Sequence, residues 1–117
     1  MKYEQPPPMS RQELEEAFRS GNGRRVRDAL ISASYTEEGT LVADWCLSFV
    51  HHSDALAPSA AALVIGHIAI SSCQTIDLPK CLDAVRSLAI DSVEAVRNDA
   101  NDALDDIVHA IRLKSAS

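Results

Sequence analysis

Apolar residues recur at helical spacing along most of the chain, and the pattern is clearest from Asp91 to Arg112, DSVEAVRNDANDALDDIVHAIR. Val93, Val96, Ala100, Ala103, Leu104, Ile107, Val108 and Ile111 follow steps of three, four and one, which place them on one stripe of an α-helix. Glu94, Asp99, Asp102, Asp105 and Asp106 fall on the other face. Asp91 with Glu94 three places on has the form of a capping box, and Arg112 and Lys114 suit the negative end of the helix dipole.

The same reading predicts five helices before this one. Ser10 and Glu13 form another capping-box pair, opening a helix with Leu14, Ala17 and Phe18 inward that stops at Ser20, Gly21, Asn22 and Gly23. A second helix runs from about Arg24 to Ser34 with Val26, Ala29, Leu30 and Ala33 inward, followed by a connector from Tyr35 to Gly39. The third covers about Thr40 to His52, with Leu41, Val42, Trp45, Cys46, Phe49 and Val50 on its apolar side. Ser53 and Asp54 then offer a cap, Pro58 suits a first turn, and Ser59 to Ala69 is apolar almost all round, the mark of a central helix. Gly66 on that helix admits a close neighbour. After a loop from Ser71 to Ile76, Asp77 can cap and Pro79 can open a fifth helix, with Leu82, Val85, Leu88 and Ala89 inward.

Helices three and four align on helices five and six at a constant offset of 39 residues. Asp44 meets Asp83, Ser48 meets Ser87, Ser53 meets Ser92, Ala61 meets Ala100 and Ile68 meets Ile107. Apolar character is kept between Cys46 and Val85, Phe49 and Leu88, Val64 and Ala103, and Ile65 and Leu104. Arg27 to Leu30 echoes Asn101 to Leu104 faintly, so three helical hairpins in series are expected.

Length and composition fit one domain. The 117 residues are 46% hydrophobic and only 4% aromatic, which points to a core of Ala, Leu, Val and Ile packed helix on helix. We divide the chain into an extended, flexible lead-in over residues 1–9, with Pro6, Pro7 and Pro8, and a single repeat domain over 10–117. Cys46, Cys73 and Cys81 form no spaced pair, as expected of reduced thiols, and no signal peptide or membrane span is expected, so the protein is read as cytoplasmic.

The net charge of −6 is uneven: residues 1–35 hold six Lys/Arg against five Asp/Glu, and residues 36–117 hold five against twelve. An acidic body disfavours nucleic acid and favours a basic protein partner, although the same charge would serve solubility alone. Arg24, Arg25 and Arg27 form the only basic cluster and read as a solvated face.

The turn near Asp91 followed by Val96-Arg97, Ala100, Ala103-Leu104 and Ile107 resembles a HEAT-type repeat. In the preceding unit Ala61, Ile65-Gly66 and Ile68 match, but Pro58 stands where that family has an arginine, so its arginine ladder is absent there. The stretch His51 to Asp54, then Gly66 to Ala69, and the ending Ala103 to Ile107 resemble small bacterial HEAT proteins. Some of those serve as immunity proteins of polymorphic or contact-dependent toxins. The resemblance implies an all-α, right-handed α-solenoid of about three antiparallel hairpins and six helices. It also implies a binding role with a cognate toxin domain as partner; the acidic surface suits a basic toxin such as a nuclease, which needs positive surface to hold phosphates.

Candidate contacts are Asp99, Asp102, Asp105 and Asp106, with Glu37 and Glu38 as a second patch. A general scaffold or regulatory adaptor would use the same surface, and plain helix solvation would produce the same carboxylates. Cys46, His51, His52 and His67 lack the compact spacing of a metal site, so neither metal nor cofactor is expected. No phosphate loop or nucleophile elbow is present, and HEAT-type lyases and hydroxylases use His-Glu pairs that this chain lacks, so no enzymatic activity is expected.

Overall fold

Six helices account for most of the computed structural model, which describes residues 7–116; residues 1–6 of the expected lead-in lie outside that range. They are α1 (Arg11–Arg19), α2 (Gly23–Thr36), α3 (Gly39–Phe49), α4 (Leu56–Ser71), α5 (Leu78–Leu88) and α6 (Glu94–Ala116), with no strand among the described residues. Local chemistry sets most of their starts. Ser10 Oγ accepts from the Glu13 N–H at 3.1 Å and the Ser10 N–H donates to Glu13 Oε1 at 3.0 Å, the reciprocal pair expected for α1. After α1 the chain turns at Gly21, whose φ of 72° is open to glycine, and the Asn22 carboxamide accepts from the Arg25 N–H to start α2. Asp54 accepts from the Leu56 N–H at 3.0 Å ahead of α4, and Asp77 accepts from the Lys80 N–H at 3.1 Å ahead of α5.

The start of α6 differs from expectation. Asp91 does not cap Glu94: its carboxylate takes the nearer Val93 N–H at 2.8 Å, a local turn, and the helix begins only at Glu94. Arg97 then reaches back from the first turn and donates to the Asp91 and Ser92 carbonyls at 2.8 and 3.1 Å. One repeat earlier Pro58 cannot do this. There the Asp54 N–H donates to His52 Nδ1, which leaves Nε2 as the donor to the Gly21 carbonyl, so a histidine ties that turn to the preceding one.

The repeat is visible in the element bounds, since α5 begins and ends 39 residues after α3, Leu78 against Gly39 and Leu88 against Phe49. Helices α2, α4 and α6 lie side by side in one layer, with α4 in the middle and its most extensive packing against α6. Helices α1, α3 and α5 form the other layer, each packed on its successor in sequence. The α1–α3 gap is filled by rings: Phe18 sits 4.9 Å from Trp45 and 5.4 Å from Phe49, centroid to centroid.

The central position of α4 explains its composition. Ala57, Ala60, Ala61, Ala62, Val64, Ile65, Ile68 and Ala69 are all buried, because neighbours meet it on almost every side. Gly66 lies close against α6, where a Cβ would come within 3.0 Å of Ala103 Cα and 3.1 Å of its Cβ.

The face assigned to α6 needs correction. Val96, Asp99, Ala100, Ala103, Ile107 and Ala110 are its buried residues, whereas Val93 and Val108 are exposed and Leu104 is half-buried on the flank. With Ala103 packed against Gly66, the buried face is turned by part of a step from the larger apolar set, and Asp99 lies in the core at 4% exposure.

Candidate functional site

Side chains of α2, α4 and α6 at the edge of the core line a groove of about 200 Å³. Helix α2 runs past the expected end at Ser34 to Thr36, so Tyr35 belongs to a helical face instead of a connector. It lines the groove with Ile31 and Ser34; α4 supplies Leu63, Val64 and His67, and α6 supplies Asp106. Ile31 and Val64 are buried and make an apolar floor, while Tyr35 and His67 are exposed, their rings 6.2 Å apart and tilted by 45°.

Asp106 forms the anionic wall. Its Oδ2 lies over Gly66, where a Cβ would stand 3.1 Å away, so the missing side chain on α4 makes room for the carboxylate. Burial pushes the Asp106 carboxyl up from its ordinary range; Asp105 and Asp102 add to the shift, and His109 and His67 oppose it. Asp102 and Asp105 are exposed on the same turn and a half of α6.

The other acidic candidates are placed differently. Asp99 was expected on the solvent face but is buried, accepting a hydrogen bond from Ser59 of α4. Ser59 to Asp99 and Gly66 to Asp106 are each 40 residues apart, so α4 and α6 run in the same direction, in register. Glu37 is held by Arg11, which donates from Nε at 2.9 Å and from its terminal nitrogen at 2.5 Å while lying over the Trp45 ring at 5.7 Å. That contact ties the α2–α3 connector to α1. Glu38 is exposed at the start of α3 without capping it. The structure thus brings Asp102, Asp105 and Asp106 together, and leaves Asp99, Glu37 and Glu38 apart from them.

Nothing in the sequence pattern marks Ile31, Ser34, Tyr35 and Leu63 as groove residues. His67 carried a usable signal, since it is the one ionisable side chain on an otherwise uncharged α4.

Other chemistry has less to work with. Arg27 pairs with its neighbour Asp28 at 2.9 Å. Cys46 and Cys81 are buried free thiols, and burial raises both, Cys81 to about 11, so neither is primed as a nucleophile. Among the described residues no three His, Cys, Asp or Glu side chains converge on a point where a metal could sit. No helix among them is long and apolar enough to cross a membrane.

No known family model matches the chain, and no curated protein matches it. A solved structure does: a chain in the crystal structure of a CDI complex from Cupriavidus taiwanensis LMG 19424. It is 27% identical, with a TM-score of 0.77, over 93% of this chain and 96% of that one.

Proposed function

We propose that this protein is an immunity protein that binds and neutralises a cognate toxin domain. The supporting observation is the end-to-end likeness to a component of a CDI (contact-dependent inhibition) complex. Such a complex has a toxin side and an immunity side, and the HEAT-like repeat of this chain argues for the second. We read the two layers as a short solenoid, right-handed as in the HEAT-type repeats it resembles, because one 39-residue step relates α3 to α5 and α4 runs beside α6 in the same direction. Stacked units of this kind present a broad surface while one packing scheme holds the core.

On this reading the protein has no reaction of its own and acts by covering the toxin in the cytoplasm. The partner is basic, and a nuclease fits best: an enzyme that holds phosphates needs positive surface, which Asp102, Asp105 and Asp106 would complement.

Rescue tests this. Expression of the toxin domain encoded next to the gene should arrest growth, and co-expression of this protein should restore it. The purified pair should form a stable complex in which nucleic-acid cleavage is lost. Continued arrest in the presence of soluble, folded protein would remove the immunity role. Complex formation with cleavage intact would leave binding but not neutralisation.

A further inference from the structure

The groove between α2, α4 and α6 is small for a ligand site. Its volume of about 200 Å³ is below the roughly 300–1,000 Å³ usual for small molecules, and suits one long side chain. Its chemistry narrows the choice. The floor of Ile31, Leu63 and Val64 is apolar, the mouth carries the Tyr35 and His67 rings, and the far wall ends in the Asp106 carboxylate. No Lys or Arg among the described residues forms an ion pair with Asp106.

We propose that this groove receives a single arginine side chain projecting from a basic protein partner, its guanidinium on Asp106 and its plane against Tyr35 and His67. The assignment rests on the reading of the protein as a toxin-binding one. Arginine fits better than lysine for two reasons. Its planar, weakly hydrated head stacks on rings and pairs with a carboxylate at once, and its aliphatic stem can lie on the apolar floor. Both aromatic walls are in place before binding, so little ordering is needed at the moment of contact.

The surroundings agree with a docking face. On α4, Leu56, Leu63, His67 and Ile70 recur at helical steps along the side turned from the core; Leu56 and Ile70 are exposed and Leu63 half-buried. An apolar stripe of this kind, flanked by Asp102 and Asp105, gives a central anchor with a rim that excludes water. Complementary charge selects the occupant: α4 itself holds no Lys, Arg, Asp or Glu, and Asp102, Asp105 and Asp106 of α6 set the local sign.

The discriminating comparison is Asp106→Asn against Asp105→Asn. Both remove one negative charge from the same turn, but only the first disarms the groove. Binding of each variant to the toxin domain identified by rescue would be followed by surface plasmon resonance, with helical content checked by circular dichroism. Asp106→Asn should weaken affinity about tenfold or more, chiefly by faster dissociation, and Asp105→Asn by about threefold or less, chiefly by slower association. His67→Ala, which removes one ring from an exposed position, should also speed dissociation. Equal losses for Asp106→Asn and Asp105→Asn would overturn the groove assignment while leaving the rescue result untouched.

If no toxin domain binds, titration of the protein with N-acetyl-arginine amide decides the matter. Shifts in the Tyr35 and His67 ring resonances that Asp106→Asn abolishes, and that N-acetyl-lysine amide reproduces only weakly, would sustain the arginine site without the immunity role. Unshifted rings would reject it.

Discussion

Asp99 and Asp106 are the same residue type, seven positions apart on one side of α6, yet they meet opposite environments because α4 offers Ser59 to one and Gly66 to the other. The acidic spacing was readable in the sequence, but the partner helix that divides it was not. Ser59→Ala would remove a hydrogen-bond donor from a buried carboxylate and should cost about 1–3 kcal/mol in urea unfolding. Adding Asp99→Ala should not be additive, because the double variant no longer holds a buried polar side chain lacking that donor, and the aligned position one repeat earlier is the fully buried Ala60. A double variant destabilised by the full sum would show that Ser59 and Asp99 act independently. Two glycines test different physics. Gly21→Ala meets no neighbour, so its loss, about 1 kcal/mol, would come from the positive φ alone. Gly66→Ala gains about 1 kcal/mol of helix propensity but sets a Cβ 3.0 Å from the backbone of Ala103. Overpacking against a fixed backbone costs about 1–3 kcal/mol, so a net loss of stability is expected. A gain would mean that α6 gives way easily there.

The starts of α1 and α5 were legible because their signals are local: Ser10 with Glu13, and Asp77, accept the backbone donors that such residues ordinarily take. Asn22 caps α2 from within what reads as a stop, Asp54 makes only a local turn with the Leu56 N–H, and α3 starts without a side-chain cap. The apolar set of α4 could also be read directly, since a helix buried on nearly all sides leaves little choice of face. Two features of α6 could not. Its start depends on Asp91 choosing the Val93 N–H over that of Glu94, and its buried face depends on how closely Ala103 can approach Gly66. The consequence is measurable. Ile65→Asp and Ile107→Asp each put an unpaired charge at a site of 0% exposure and should leave no cooperative helical fold by circular dichroism. Leu104→Asp, on the half-buried flank, should remain folded with reduced stability, although its aligned partner is the fully buried Ile65. If Leu104→Asp instead unfolds the protein as completely as Ile107→Asp, the helix faces α4 with the wider stripe that periodicity suggests.

For the whole molecule, the acidic balance was plain from composition, but which carboxylates share a face was a matter of stacking. Glu37 is locked to Arg11, Asp99 is inside, and Asp102, Asp105 and Asp106 remain beside the groove. That arrangement makes binding of a cationic partner depend on pH in a definite direction. Burial holds the Asp106 proton more tightly than in the unfolded chain; Asp105 and Asp102 reinforce this and His109 and His67 oppose it. Ionisation of Asp106 therefore costs the free protein stability above its raised pKa, and the cost is lifted as pH falls through it. A guanidinium in the groove reverses the preference, stabilising the carboxylate and releasing any proton still bound. Affinity for the partner should fall on acidification, starting at a higher pH than an ordinary exposed aspartate would produce. Calorimetry in two buffers of different ionisation enthalpy should detect proton release in that window. Asp106→Asn should flatten this limb of the profile, while Asp102→Lys with Asp106→Lys should abolish it and slow association through charge reversal. An acid limb that survives Asp106→Asn unchanged would assign the titrating group to the partner and not to this groove.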